Sequence, residues 1–255
     1  MALLLAAPLL VAVPVMSFFS AYRHAIAAGR NSWQMIAYGK VNTMRMLRRF
    51  ARGNKSSRTR RVAARLQRKV KNLASSDPGQ IVVIGSSIID YWRHMTRDLA
   101  PLPCLNAGAA GARTFDLQPF VEDLAVKLRP KVIVYYCGSN DVTAGHTASE
   151  VFSGFEDFYK AVKRQLGDVK FLYVGVVNCP FKKFLGCDDV VTATNAQIKA
   201  AQLPDVVVID PNELEPRFVN DWSIYLNDGL HMKDSGYELL GATILPALKE
   251  LYEKP

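Results

Sequence analysis

Long runs of β-branched and aromatic residues, each stopping at a glycine or a short polar loop, constrain this chain more than any other feature. Ile81-Val82-Val83-Ile84, Val132-Ile133-Val134-Tyr135-Tyr136-Cys137, Phe171-Leu172-Tyr173-Val174-Gly175-Val176-Val177 and Val206-Val207-Val208-Ile209 are apolar without alternation. Each therefore reads as a strand buried on both faces. Between them, Leu117, Phe120, Val121, Leu124 and Leu128 recur at helical spacing, as do Val151, Phe155, Phe158, Val162 and Leu166. A further helix is predicted over residues 192–201, and Tyr237, Leu240, Ile244, Leu248 and Leu251 mark a closing one. Strands alternating with helices of these lengths predict an α/β fold, a three-layer αβα sandwich around a parallel sheet. About 180 residues, from 77 to 255, are enough for one domain with a sizeable core.

Open parallel sheets bind ligands beyond the carboxyl ends of their strands, and three loops at such positions carry reactive residue types. Gly85-Ser86-Ser87 follows the first run, although two serines after a strand equally suit a helix N-cap. A serine hydroxyl becomes a useful nucleophile only when a histidine, oriented by a carboxylate, takes its proton. Four histidines are present. His24 lies in an apolar and basic region, His94 has no acid at comparable spacing, and His146 reads as a solvated loop residue. His231 has Asp228 three residues before it in the turn signal Asn227-Asp228-Gly229. That turn could fold the carboxylate onto the imidazole and leave the other ring nitrogen for Ser87, whereas an isolated Asp of this kind commonly caps a helix.

The negative charge formed when a hydroxyl attacks a carbonyl needs hydrogen-bond donors. Asn140, in Gly138-Ser139-Asn140-Asp141 after the second run, carries an amide that donates without titrating. An Asx turn is the alternative use of the same residues. Asn106-Ala107-Gly108-Ala109-Ala110-Gly111 offers a loop of small residues through which backbone N–H groups can approach a ligand.

Together these blocks, in this order, resemble the SGNH/GDSL hydrolase family over about residues 77 to 253. Gly-Ser-Ser followed by Trp92, and Gly236-Tyr237 after the histidine, resemble one branch of it more narrowly. The resemblance implies a five-stranded, flavodoxin-like parallel sheet. It also implies Ser87 as nucleophile, His231 as general base, Asp228 orienting it, and an oxyanion hole of Ser87 N–H, Gly111 N–H and the Asn140 side chain. Asn106 matches the asparagine that opens the second block, and Asn106 and Asp141 are expected at the substrate. Ser86 stands where the family's Gly-Asp-Ser has its aspartate, which removes a carboxylate beside the nucleophile. The implied activity is hydrolysis of an ester or thioester in a small molecule or lipid, with no cofactor. A non-catalytic binding or scaffold protein on the same fold, or an acyltransferase, is the alternative. Cys104, Cys137, Cys179 and Cys187 lack Cys-x-x-Cys spacing and a nearby histidine, so no metal site is expected. The spacing leaves a Cys179–Cys187 disulfide open.

The first 76 residues differ in character. They hold fifteen Lys or Arg and no Asp or Glu, while the remainder holds seventeen basic and twenty-three acidic residues. All of the chain's net +9 therefore comes from this extension. Residues 2–22 are uncharged and mostly apolar, about 31 Å as a helix, which suffices to cross a bilayer core. A single-pass anchor is the primary expectation. A cleaved signal, with Ala25-Ile26-Ala27 as its small-residue site, and an Arg-rich transit peptide are the rivals. Twelve Lys or Arg between Arg45 and Lys71 would keep the enzyme domain cytoplasmic. Residues 23–76 read as a basic juxtamembrane region. Within it, Val62, Leu66, Val70 and Leu73 share a helical face that could lie on anionic lipid or dock on the domain. Nucleic-acid binding is not expected, since no aromatic residues interleave with the charges from Arg52 to Lys71.

Overall fold

The computed structural model describes residues 55–254; the expected membrane span over residues 2–22 and the basic residues up to 54 lie outside them. Among the described residues no helix is long and apolar enough to cross a membrane. Five parallel strands form one sheet: β1 (Ile81–Gly85), β2 (Cys104–Gly108), β3 (Val132–Tyr136), β4 (Lys170–Val174) and β5 (Val206–Ile209), in the order β2-β1-β3-β4-β5. The four apolar runs and the Cys104 segment are thus the strands, and the flavodoxin-like order is observed. Successive strands are added on one side of β1 for β2 and on the other for β3, and Gly85 of β1 registers with Gly108 of β2 and Tyr136 of β3, all in parallel. Three loops consequently leave the same edge side by side.

The principal helices are α1 (Lys55–Leu73), α2 (Ser87–Asp90), α3 (Ser139–Thr143), α4 (Ala148–Lys163), α5 (Asp188–Ala200) and α6 (Asp234–Glu253). Their apolar faces build one core on each side of the sheet. Val82, Ile84, Ile133, Tyr135, Phe171 and Tyr173 face a cluster completed by Phe155 and Phe158 of α4. Ile81, Val83, Val132, Val134, Leu172 and Val174 face Tyr237, Leu240, Ile244 and Leu248 of α6. This is the strand alternation of a sheet covered on both sides.

Two local expectations are modified. The spacing from Leu117 to Leu128 predicts one helix, but the segment divides into Thr114–Leu117, a 3₁₀ turn at Gln118–Phe120 and a π segment at Glu122–Val126. Pro119 inside that segment removes a backbone donor and favours the tighter turn, yet Leu117, Leu124 and Leu128 remain buried. The second change concerns the basic region. Helix α1 does not lie apart from the domain: Val62, Leu66 and Leu73 are buried in the same cluster as β1 and α4. Of the two uses open to that apolar face, docking on the domain is the one observed.

Candidate active site

Ser87 opens α2 at the carboxyl end of β1 and is largely buried. Ser86 takes the N-cap position, but its side chain makes no capping hydrogen bond and its buried hydroxyl has no partner. The serine pair is therefore not accounted for by capping. Ser87 Oγ instead lies 3.0 Å from His231 Nε2, across 144 positions of sequence.

His231 sits in a loop that closes on itself. Leu226 N–H donates to the His231 carbonyl at 2.7 Å, Gly229 N–H donates to the Leu226 carbonyl at 2.9 Å, and Tyr225 pairs with Met232 as an antiparallel bridge. Inside the loop Asp228 caps no helix, because the next one starts only at Asp234; it braces the turn and faces the imidazole. Its Oδ1 accepts from Leu230 N–H and His231 N–H at 3.1 and 3.0 Å, and its Oδ2 lies 2.6 Å from His231 Nδ1. Burial alone would push the Asp228 carboxyl upward, but hydrogen bonds from the His231 ring and from the His231 and Leu230 backbone outweigh it and hold the group at about 2. An ionised Asp228 favours the tautomer with the proton on Nδ1, which leaves Nε2 as an acceptor facing Ser87. Tyr91, 46 % exposed, covers the imidazole with ring centroids 5.2 Å apart.

The other two loops flank this chain of groups. After β2, Gly111 adopts φ +86°, a backbone conformation that favours glycine. Ala112 N–H donates to the Ala109 carbonyl at 3.0 Å, so Ala110 and Gly111 form the corner of a tight turn. After β3, Gly138 has φ +131°, and a Cβ there would stand 2.8 Å from Val151 Cγ1, so a larger residue would displace α4. Asn140 follows on α3 and donates through Nδ2 to the Ala112 carbonyl at 2.9 Å. Lys182, fully buried in the short helix Pro180–Phe184 after β4, donates to the Ser139 carbonyl and to Thr143 Oγ1. It thereby holds the peptide next to Asn140.

Ser87, Asp228 and His231 are thus brought together, with Gly111 and Asn140 on the neighbouring loops. Asn106 and Asp141, expected at the substrate, have their polar atoms engaged within the protein. Asn106 Nδ2 donates to the Ile89 carbonyl at 2.6 Å, and its Oδ1 accepts from Gly108 N–H at 3.0 Å, tying β2 to α2. Asp141 is fully buried and accepts from Thr114 N–H at 3.1 Å and Thr114 Oγ1 at 2.8 Å. Burial raises its carboxyl pKa despite these bonds. Short polar side chains beside a reactive loop can brace the loop as readily as touch a ligand, and sequence does not separate the two.

His146 also departs from expectation. It is half-buried rather than fully solvated: its Nδ1 makes no hydrogen bond and lies 3.9 Å from Glu150 Oε1, and its ring lies 5.3 Å from that of Phe115. All four cysteines are free thiols. Burial pushes Cys104 up to about 12 and raises the other three, so they are protonated at neutral pH and weak nucleophiles. Among the described residues no group of three or more His, Cys, Asp or Glu is arranged to hold a metal ion.

A five-stranded parallel sheet of an α/β protein thus carries a serine, a histidine and a carboxylate hydrogen-bonded in series at its carboxyl edge. The chain belongs to the GDSL-like Lipase/Acylhydrolase family, whose model matches residues 83–239, more than half of its length. No curated protein matches the sequence. Among solved structures, a Streptococcus pneumonia protein described as a platelet activating factor is similar with TM-score 0.66 and 17% identity, over 82% of this chain and 99% of that one. A GDSL-like lipase from Bacteroides thetaiotaomicron is similar with TM-score 0.62 and 19% identity, over 74% and 98%. A carbohydrate esterase family 3 protein from Talaromyces cellulolyticus gives 0.57 and 15%, over 69% and 98%. At these identities the likeness is one of fold.

Proposed function

We propose that this protein is a membrane-tethered serine esterase that cleaves an ester or thioester through an acyl-serine intermediate. The observation that carries the reading is the continuous hydrogen-bonded path from Asp228 Oδ2 through His231 to Ser87 Oγ, at 2.6 and 3.0 Å. In the first step Ser87 Oγ bonds to the substrate carbonyl carbon while its proton passes to His231 Nε2. The ionised Asp228 stabilises the imidazolium so formed. Ser87 N–H, Gly111 N–H and the Asn140 amide proton not used by Ala112 receive the developing oxyanion. Collapse breaks the bond to the leaving alcohol or thiol, which takes the proton from His231. Water then attacks the acyl-serine by the same route in reverse and releases the acid.

The tether is residues 2–22, supported by their length, lack of charge and the basic stretch that follows. That charge favours a cytoplasmic active site. Within α1, the exposed Arg61, Arg68 and Lys71 are available to anionic lipid headgroups. A substrate embedded in or near a bilayer fits this arrangement. Competing lysophospholipid, acyl-thioester and acetyl-sugar substrates against one another on the purified protein tests the substrate class. A preference for the acetyl-sugar over both lipid-like substrates would overturn the lipid assignment.

A further inference from the structure

Helix α1 lies outside the residues matched by the family model, yet two of its cations reach the loop that carries Gly111 and a third reaches Asn106 and Asp90 beside it. Arg58, Arg65 and Lys69 are spaced by seven and four residues, so at about 100° per residue they form one line along the helix, beside the buried Val62 and Leu66. Arg65 Nη1 donates to the Ala110 carbonyl at 2.5 Å. Arg58 Nη1 donates to the Gly111 carbonyl at 3.2 Å and forms a two-point pair with Asp116, at 2.6 and 3.1 Å. Lys69 Nζ donates to Asn106 Oδ1 at 3.2 Å and lies 3.3 Å from Asp90 Oδ1, while Asp90 Oδ2 accepts from Ala110 N–H at 3.0 Å. Three successive peptide groups are therefore held, two by α1 directly and one by Asp90 of α2.

The Ala110 carbonyl and the Gly111 N–H are the two ends of one planar trans peptide. Fixing the carbonyl toward α1 turns the N–H the opposite way, and among the described residues no protein group accepts from that N–H. A guanidinium on the carbonyl oxygen also polarises the peptide, making its N–H a stronger donor, because linked hydrogen bonds reinforce one another. We infer that Arg65 is a positioning residue for catalysis, aiming and polarising the Gly111 N–H toward the oxyanion, with Arg58 fixing the next peptide of the turn. This inference rests on the reading of Gly111 N–H as an oxyanion donor.

The test uses the full-length protein, a chromogenic acetyl ester and a fluorophosphonate probe. Arg65→Met is expected to lower kcat about tenfold, less than the loss of an oxyanion donor itself, and to leave KM unchanged. Arg65→Lys, which keeps a charged donor, is expected to recover most of the rate. A residue that only held α1 in place would lower the melting temperature and leave kcat at its wild-type value in the folded protein. If Arg65→Met does not fold, Arg65→Lys and Arg65→Gln carry the comparison, with rates expected in the order Arg, Lys, Gln. Equal kcat across the folded variants, with wild-type protein labelled at Ser87 and Ser87→Ala inert, overturns the positioning role alone. Wild-type protein that neither turns over the ester nor labels at Ser87 overturns the oxyanion reading and this inference with it.

Discussion

Asn140 donates its side-chain amide to the Ala112 carbonyl at 2.9 Å and so joins the two loops that leave the sheet on either side of β1. The acceptor orients the amide with its nitrogen inward, and its second proton remains for a ligand. Asn140→Ala is expected to lower kcat by about 10² to 10³ with a small change in KM. Loss of the Ala112 bond should cost only about 1 kcal/mol of stability, so steady-state kinetics and thermal denaturation on the same sample separate the two effects.

Asp228 is held at about 2, below its ordinary 3.8, by the His231 bonds that overcome its burial. A carboxylate depressed in the folded state contributes stability that is complete above its unfolded pKa and is lost as pH falls toward its folded one. The difference in melting temperature between wild type and Asp228→Asn should therefore be constant above 3.8 and narrow as pH falls toward about 2. Asn can keep the loop hydrogen bonds but supplies no charge to the imidazolium, so kcat should fall by about 10³ or more.

Asp141 has the opposite sign. Burial raises its carboxyl pKa above 3.8, so between that value and the folded pKa the native state binds more protons and stability declines as pH rises. Asp141→Asn keeps an acceptor for Thr114 and should remove that slope with little loss of stability. Asp141→Ala leaves the buried Thr114 N–H without its partner and should cost about 1 to 3 kcal/mol. Chemical denaturation at two pH values distinguishes these outcomes.

The strands and the Ser87, Asp228 and His231 set were legible because their signals are local: uninterrupted apolar runs, and a turn that places a carboxylate three residues before a histidine. The bracing roles of Asn106 and Asp141 were not, since their partners Ile89 and Thr114 approach only after the sheet forms. Pro119 was a visible warning that the helix from Leu117 would break. The most informative gap concerns α1. The apolar face of Val62 and Leu66 was legible as one that could dock, but the helix's charge density masks the fact that Arg58 and Arg65 turn inward to the Gly111 loop.

That packing alters what a truncation should do. From sequence, a cut after residue 76 is expected to release an active domain, but it would also strip away the buried Val62, Leu66 and Leu73, each contributing about 2 kcal/mol. Removal of residues 1–54 should leave a soluble protein with full esterase activity, whereas removal of residues 1–76 should lower both the melting temperature and kcat. Fractionation, thermal denaturation and ester hydrolysis of the two forms check this.

The most direct measurement is mass spectrometry of the full-length protein after reaction with a fluorophosphonate. One adduct on Ser87 is expected, absent from Ser87→Ala and greatly slowed in His231→Ala, with ester hydrolysis lost in step. Hydrolysis retained by Ser87→Ala, or labelling confined to another residue, would contradict the account.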